Sequence, residues 1–65
     1  MLKGTVKFLH DEHGYGFIET DEMEDDVYFD LDEQDSDLQI EEGDEVEFEQ
    51  GEGDKGPKAN DITVL

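Results

Sequence analysis

The sequence predicts an all-β domain, a small closed or partly closed barrel, and three observations favour this fold class. Short runs of β-branched and aromatic residues alternate with glycine-rich or acidic stretches that are typical of turns. No long segment repeats its apolar residues at the helical period. Because an open sheet of short strands leaves two edges exposed, closure into a barrel is the natural arrangement.

Five segments carry the strand signal, in order along the chain. The first, LKGTVKFL, mixes β-branched and aromatic residues and leads into the turn HDEHG at residues 10–14. A longer acidic connection, residues 32–43, precedes the fourth strand, and a helical turn is expected near residues 37–40. The glycine-rich stretch GEGDKGP at residues 51–57 predicts a loop before the last strand. The predicted strands are Leu2–Leu9, Tyr15–Thr20, Val27–Leu31, Glu45–Gln50 and Lys58–Leu65. The predicted core residues are Val6, Ile18, Val27, Phe29, Val46, Phe48, Ile62 and Val64.

Length and cysteine content bound the possible structures. The chain has 65 residues, which allows one domain, residues 1–65, with a small core. It has no cysteine, so neither a disulfide nor a thiolate–metal site can stabilise it, and thiol chemistry is excluded.

The charge is strongly negative and admits three explanations. With 22 acidic residues against 4 lysines, the formal net charge is −18, and 32% of residues are hydrophobic. This composition is typical of disordered chains, although the apolar residues here are ordered into strand-like segments. A second explanation is adaptation to high salt, because the Debye length falls to about 3 Å at 1 M and removes most of the self-repulsion. The third explanation is an acidic surface that binds a charged partner or imitates nucleic acid.

Side-chain alternation along the second and third predicted strands places several aromatic rings outside the core. If Ile18 points inward, Gly16 does too, and Tyr15 and Phe17 point outward. The same reasoning turns Tyr28 outward. Exposed aromatic rings on neighbouring strands are typical of surfaces on which the bases of single-stranded nucleic acid stack. The alternative is that some of these rings complete a small core.

Four segments are in register with a known family along almost the whole chain. They are GTVKF at residues 4–8, HGYGFI at 13–18, DVYFDL at 26–31 and KGPKANDIT at 55–63, and together they resemble a bacterial-type cold-shock domain. The resemblance implies an all-β, five-stranded antiparallel OB-fold barrel. It also implies binding of single-stranded RNA or DNA with little sequence preference, and action as an RNA chaperone.

The resemblance assigns roles to individual residues. Aromatic side chains stack on bases, the glycines of the HGYGFI motif permit close approach, and lysines contact the nucleic-acid backbone. The residues assigned in this way are Lys7, Phe8, His13, Gly14, Tyr15, Gly16, Phe17, Tyr28, Asp30, Lys55 and Lys58. The resemblance also implies that the first and last strands are neighbours, so that Lys3 and Lys7 would form a positive edge with the last two lysines. The alternative is four scattered solubilising lysines.

The chain departs from the family pattern at positions of the expected interface. Asp30 stands where the family has histidine, Leu31 replaces an aromatic residue, and Leu9 lacks the ring that usually follows the first-strand aromatic. His13 occupies the position of a family lysine. Because cation contacts are therefore scarce, stacking is expected to supply most of the affinity.

Other constellations predict no cofactor, metal or catalytic site. His10 and His13 have a spacing that a transition metal could use, but a polar hairpin turn, with His13 at the position of the family lysine, is the better explanation. Residues 30–41 are loosely similar to a calcium loop, yet Asp35 stands where that loop requires glycine. Ser36 is the sole serine and has no base placed by sequence, so the chain is not expected to be an enzyme.

The chain is expected to be a soluble, cytoplasmic monomer. No run approaches the ~20 apolar residues of a membrane span, and the N-terminus shows no export signal. The expected partner is single-stranded RNA or DNA. The alternative function is an acidic OB-fold module that binds basic proteins or mimics nucleic acid.

Overall fold

The fold is all-β, as the sequence predicts. A computed structural model describes residues 1–10, 12–34, 38–53 and 56–65, and in these residues five strands close into a barrel. A single turn of 3-10 helix, Leu31–Glu33, follows the third strand. The strands are β1 (Leu2–His10), β2 (Tyr15–Glu19), β3 (Val27–Asp30), β4 (Glu45–Gly53) and β5 (Gly56–Val64).

The barrel has the strand order β1-β2-β3-β5-β4, and β4 pairs with β1 to close it. Its strand pairs are antiparallel except where β3 meets β5 in parallel at Tyr28 and Lys58. Since β4 forms a hairpin with β5 and pairs with β1 along its other edge, it separates the first strand from the last. The expectation that these two strands are neighbours is therefore wrong, and Lys3 and Lys7 do not share a strand edge with Lys58.

The last hairpin is longer than the sequence suggests. Pairing of β4 with β5 continues through Gly51–Lys58, Glu52–Pro57 and Gly53–Gly56, inside the stretch predicted to be a loop. Glycine and proline are poor strand signals, so their local preference favoured a loop. The antiparallel pairing with the partner strand overrides that preference.

The core occupies the inside of the barrel and largely follows the prediction. Val64 is the exception among the predicted residues, since it is half-buried at the edge of the cluster. Ile40 and Ala59 are buried although the sequence did not indicate them, because a loop residue and an alanine give little periodic signal. The buried apolar residues are Val6, Ile18, Val27, Phe29, Ile40, Val46, Phe48, Ala59 and Ile62.

A β-bulge in β1 decides which face of that strand carries Phe8. Val6 pairs with Ile18, and the next pair along is Phe8 with Phe17, so Lys7 is the additional residue. Strict alternation from the buried Val6 would turn Phe8 toward the core. Because of the bulge, Phe8 instead joins Phe17 on the outer face, where the residue is 38% exposed.

The helical turn lies earlier than predicted. Leu31, expected as the end of a strand, begins the 3-10 helix, and residues 38–40 contain no helix. The remaining residue of that prediction, Asp37, lies outside the described residues. Asp30 explains the shift, because its carboxylate accepts a hydrogen bond of 2.9 Å from the Asp32 N–H and caps the turn.

Candidate functional site

Four aromatic side chains from three adjacent strands form one continuous cluster on the outer face of the barrel. We call Phe8 of β1, Tyr15 and Phe17 of β2, and Tyr28 of β3 the ring cluster. The centroid distances are 6.1 Å for Phe8–Tyr15, 6.3 Å for Phe8–Phe17, 5.9 Å for Tyr15–Tyr28 and 5.8 Å for Phe17–Tyr28. Each ring therefore has at least two ring neighbours, and the surface they form is contiguous.

Strand register produces this arrangement. Phe17 lies opposite Phe8 on one side and opposite Tyr28 on the other, so the three side chains emerge in a row across the sheet. Tyr15 emerges two residues before Phe17 on the same face of β2. The rings of Tyr15, Phe17 and Tyr28 are half-buried against each other and keep part of their surface accessible. The alternation predicted for β2 and β3 thus agrees with the structure.

Gly16 lies beneath the ring cluster rather than on it. The residue is buried, and an added Cβ would lie 2.6 Å from Cζ of the Phe29 ring and would also meet the backbone carbonyl of Phe8. Its lack of a side chain is therefore explained by packing of the core against β1. The expectation that Gly16 permits close approach of a ligand finds no support in this placement.

Gly14 and His13 form the turn between β1 and β2. Gly14 has φ +70, a left-handed conformation that favours glycine, and its N–H donates to the His10 carbonyl at 2.9 Å. The Gly14 carbonyl accepts a hydrogen bond of 2.8 Å from the Leu31 N–H, which ties the turn to the 3-10 helix. His13 is exposed beside this turn. Both residues thus border the ring cluster, and Gly14 shapes the turn that carries His13.

His10 extends the ring cluster and was missed by the sequence analysis, which assigned it to a turn. β1 continues to His10, whose imidazole lies 5.6 Å from the Tyr15 ring with an interplanar angle of 11°. The His10 and Phe8 rings are 6.1 Å apart. Once the bulge at Lys7 is known, the two-residue spacing of Phe8 and His10 identifies them as members of one face.

The two described lysines of the expected site are engaged with carboxylates. Lys7 Nζ lies 3.2 Å from Asp26 Oδ2 on the exposed surface. Lys58, opposite Tyr28 in the barrel, forms an ion pair and hydrogen bond with Glu33. The hydrogen bond to Glu33, with the negative charges of Glu33 and Asp30, raises the pKa of Lys58. Lys55, the third lysine expected at the site, lies outside the described residues.

Asp30 has a structural partner at the rim of the ring cluster. It lies opposite Tyr15 in the register of β2 and β3, and its carboxylate is committed to the Asp32 N–H as the helix cap. This residue therefore adds a negative charge beside the rings while it fixes the backbone that follows β3. An approaching phosphate would meet this charge unless the strand passes on the other side of the rings.

Only part of the metal-binding and catalytic hypotheses falls within the described residues. They include no group of three or more histidine, cysteine or acidic side chains that could hold a metal ion. Asp35, at the glycine position of the calcium-loop pattern, and Ser36, the sole serine, lie outside the described residues. No helix in the described ranges is long and apolar enough to cross a membrane. The ring cluster is therefore the feature that the fold assembles most clearly.

Comparison with known proteins gives matches over the whole barrel. A family model described as the "'Cold-shock' DNA-binding domain" matches residues 2–65. Cold shock protein CspA of Staphylococcus haemolyticus (strain JCSC1435) is 48% identical over 67 residues, covering 100% of this chain and of the relative. The protein of the same name from Staphylococcus saprophyticus subsp. saprophyticus is 46% identical, with the same coverage.

A solved structure has the same architecture. The structure titled "drosophila Unr CSD456" matches with a TM-score of 0.79 and 29% sequence identity. The match covers 98% of this chain and 26% of the fly chain, so this chain corresponds to about a quarter of that protein segment.

Proposed function

Because this chain belongs to the cold-shock domain family of nucleic-acid-binding proteins, we propose that it binds unpaired stretches of RNA or DNA on the ring cluster. Bases stack on Phe8, Tyr15, Phe17 and Tyr28. The observation that supports this proposal is the contiguity of four partly accessible rings on three adjacent strands, with neighbouring centroids 5.8–6.3 Å apart. Base-on-ring stacking tolerates any sequence, since every base has a π-face.

Stacking supplies most of the binding free energy in this proposal. A stacked base is worth about 1–3 kcal/mol when the ring is removed by alanine substitution. Lysines contribute little, since Lys7 and Lys58 are paired with Asp26 and Glu33 and the net charge is −18. When protein cations neutralise phosphates, counterions are released from the nucleic acid, and this release drives most nucleic-acid binding. Here that contribution is correspondingly small.

The acidic surface suits a concentrated salt solution. In molar salt the Debye length is about 3 Å, so the repulsion between the protein's carboxylates and the phosphates is screened beyond contact distance. Counterion release is weak there for any protein, and stacking on the rings is retained. The protein thus acts at high salt as an RNA chaperone that holds strands unpaired and releases them readily. It works as a cytoplasmic monomer without catalytic activity.

The test is a titration of fluorescently labelled oligo-dT and oligo-U by the protein in several-molar KCl, followed by anisotropy. Replacing both Tyr15 and Phe17 with alanine should weaken binding at least tenfold, since two stacking rings are lost and each is worth about 1–3 kcal/mol. Leu65→Ala is the matched control, because Leu65 is an exposed apolar residue outside the ring cluster. Circular dichroism in the same buffer verifies the fold. Unchanged binding by the folded double variant would contradict the site.

A second candidate is a module that binds basic proteins or mimics nucleic acid. The observation that favours it is the pairing of both described site lysines with carboxylates, which leaves the surroundings of the rings acidic. This function predicts association with basic proteins that weakens as salt rises. Pull-downs at low and high salt, with and without ribonuclease, separate the two. Partners that are all basic proteins and all insensitive to ribonuclease would favour the second candidate.

A further inference from the structure

We propose that His10 and His13 form a proton-dependent extension of the nucleic-acid interface, in which the charged imidazoles contact phosphates of the strand that stacks on the ring cluster. The inference rests on the proposed function. Its first support is geometric, because the two imidazole centroids are 4.4 Å apart and continue the aromatic surface. His10 is nearly parallel to Tyr15, and His13 lies 6.4 Å from the same ring.

The second support is the shortage of other cations. Lys7 and Lys58 are the described lysines nearest the rings, and each is neutralised by a carboxylate. Neither histidine is paired with a carboxylate in the described part of the chain. A strand stacked on Tyr15 would therefore bring its phosphates toward two groups that can acquire a positive charge without first breaking an ion pair.

The third support is an unsatisfied ring nitrogen. His10 Nδ1 is buried and has no hydrogen-bond partner among the described residues. A buried polar atom without a partner is costly, and each such atom in a native structure needs an explanation, a bound water or ion among them. A half turn of the imidazole about the Cβ–Cγ bond exchanges the positions of Nδ1 and Cδ2, and in this proposal the Nδ1–H then donates a hydrogen bond to a phosphate oxygen.

Further titratable groups lie near the two histidines, and their contribution to the pH dependence of binding must be distinguished from that of the imidazoles. Tyr15 of β2 stacks on His10, and Glu12 precedes His13 in the turn. From the 3-10 helix, Asp32 Oδ1 lies 3.8 Å from the position of an ideal Cβ on Gly14. From the loop before β4, the Glu42 carboxylate accepts a hydrogen bond of 3.0 Å from the Leu9 N–H. Carboxylates and phenols ordinarily titrate outside the interval between about pH 6 and pH 8, in which imidazoles change charge.

Binding and protonation are then linked. A phosphate stabilises the positive imidazole, so strand binding takes up protons and the affinity rises as the pH falls. Linkage limits the effect to about tenfold per pH unit for each proton taken up. We expect oligo-dT to bind about three-fold to tenfold more tightly at about pH 6 than at about pH 8, because histidine charge changes only partly across this interval.

The experiment compares the parent chain with the His10→Gln/His13→Gln variant, which keeps polar side chains but cannot become charged. Oligo-dT binding is measured by anisotropy at both pH values, and calorimetry in two buffers of different ionisation enthalpy counts the protons taken up. Glu12→Gln is the matched control, because it removes one carboxylate from the same turn. We expect the pH dependence and the proton uptake to persist in the control and to disappear in the histidine variant.

Two other outcomes would have different consequences for the inference and for the proposed function. If the parent binds oligo-dT equally at both pH values, or if the histidine variant retains the full pH dependence, the inference is overturned and the proposed function stands. If the folded parent binds no oligo-dT at either pH, the proposed function itself fails.

Discussion

Replacing Glu33 with glutamine should convert Lys58 from an internally paired cation into one that contacts the strand. The Lys58 ammonium is held by the Glu33 carboxylate, and its side chain is 19% exposed beside Tyr28. Glutamine keeps the length and polarity of Glu33 but removes its charge. The ammonium is then no longer neutralised at the edge of the ring cluster and becomes available to a phosphate.

The size of the effect follows from the number of phosphates contacted. For single strands, each neutralised phosphate adds about −0.7 to the slope of log K against log salt concentration. One additional phosphate contact therefore makes the affinity fall about five-fold more when the KCl concentration rises tenfold. The ratio of the affinity of the Glu33→Gln variant to that of the parent should therefore be about five-fold larger at about 0.3 M KCl than at about 3 M KCl.

Anisotropy titrations of labelled oligo-dT across this salt range measure both slopes directly. The matched control is Glu45→Gln, because Glu45 is an exposed carboxylate on β4 that pairs with no lysine among the described residues. It removes the same charge without releasing a cation. Equal slopes for the Glu33 and Glu45 variants would refute the reasoning, since Lys58 would then make no contact with the strand.

Three further predictions concern the barrel and the rim of the ring cluster. Gly16→Ala should destabilise the domain by about 1–3 kcal/mol in denaturant unfolding, because its Cβ would meet the Phe29 ring and the Phe8 carbonyl; unchanged stability would contradict this packing. Asp30→Asn should keep the helix cap and tighten oligo-dT binding by removing a charge, whereas Asp30→Ala should also cost about 1 kcal/mol of stability; equal stability of the two variants would exclude the cap. Transfer from molar KCl to dilute buffer should unfold the chain, because a net charge of −18 is then unscreened around a small core; identical β content by far-ultraviolet circular dichroism would disprove this.

The sequence predicts those parts of the fold that depend on local alternation. On β2 the two-residue period separates buried Gly16 and Ile18 from the outward Tyr15 and Phe17, and the structure agrees. The same period fails on β1, because the bulge at Lys7 reverses the faces of the residues that follow. Nothing in the local sequence marks that bulge. The family resemblance, and not the alternation, assigned Phe8 to the interface, whereas the place of His10 on the same face required the pairing with β2.

Long-range pairing determines the rest of the site. Lys7 meets Asp26 and Lys58 meets Glu33, over 19 and 25 positions along the chain. In a chain so rich in carboxylates, the sequence offers many candidate partners and no means to choose among them. The lysines expected to contact nucleic acid are for this reason the part of the site that changed most between sequence and structure.

The most direct test of the central claim is the intrinsic fluorescence of the ring cluster. The chain has two tyrosines, Tyr15 and Tyr28, and no tryptophan, so all of its tyrosine emission comes from this surface. Unlabelled oligo-dT is titrated into the folded protein in several-molar KCl, with free tyrosine as the control for light absorption by the strand. The account predicts saturable quenching with the same midpoint as the anisotropy titration, because bases stack on these rings. Binding detected by anisotropy with unchanged tyrosine emission would contradict it and direct attention to another surface of the barrel.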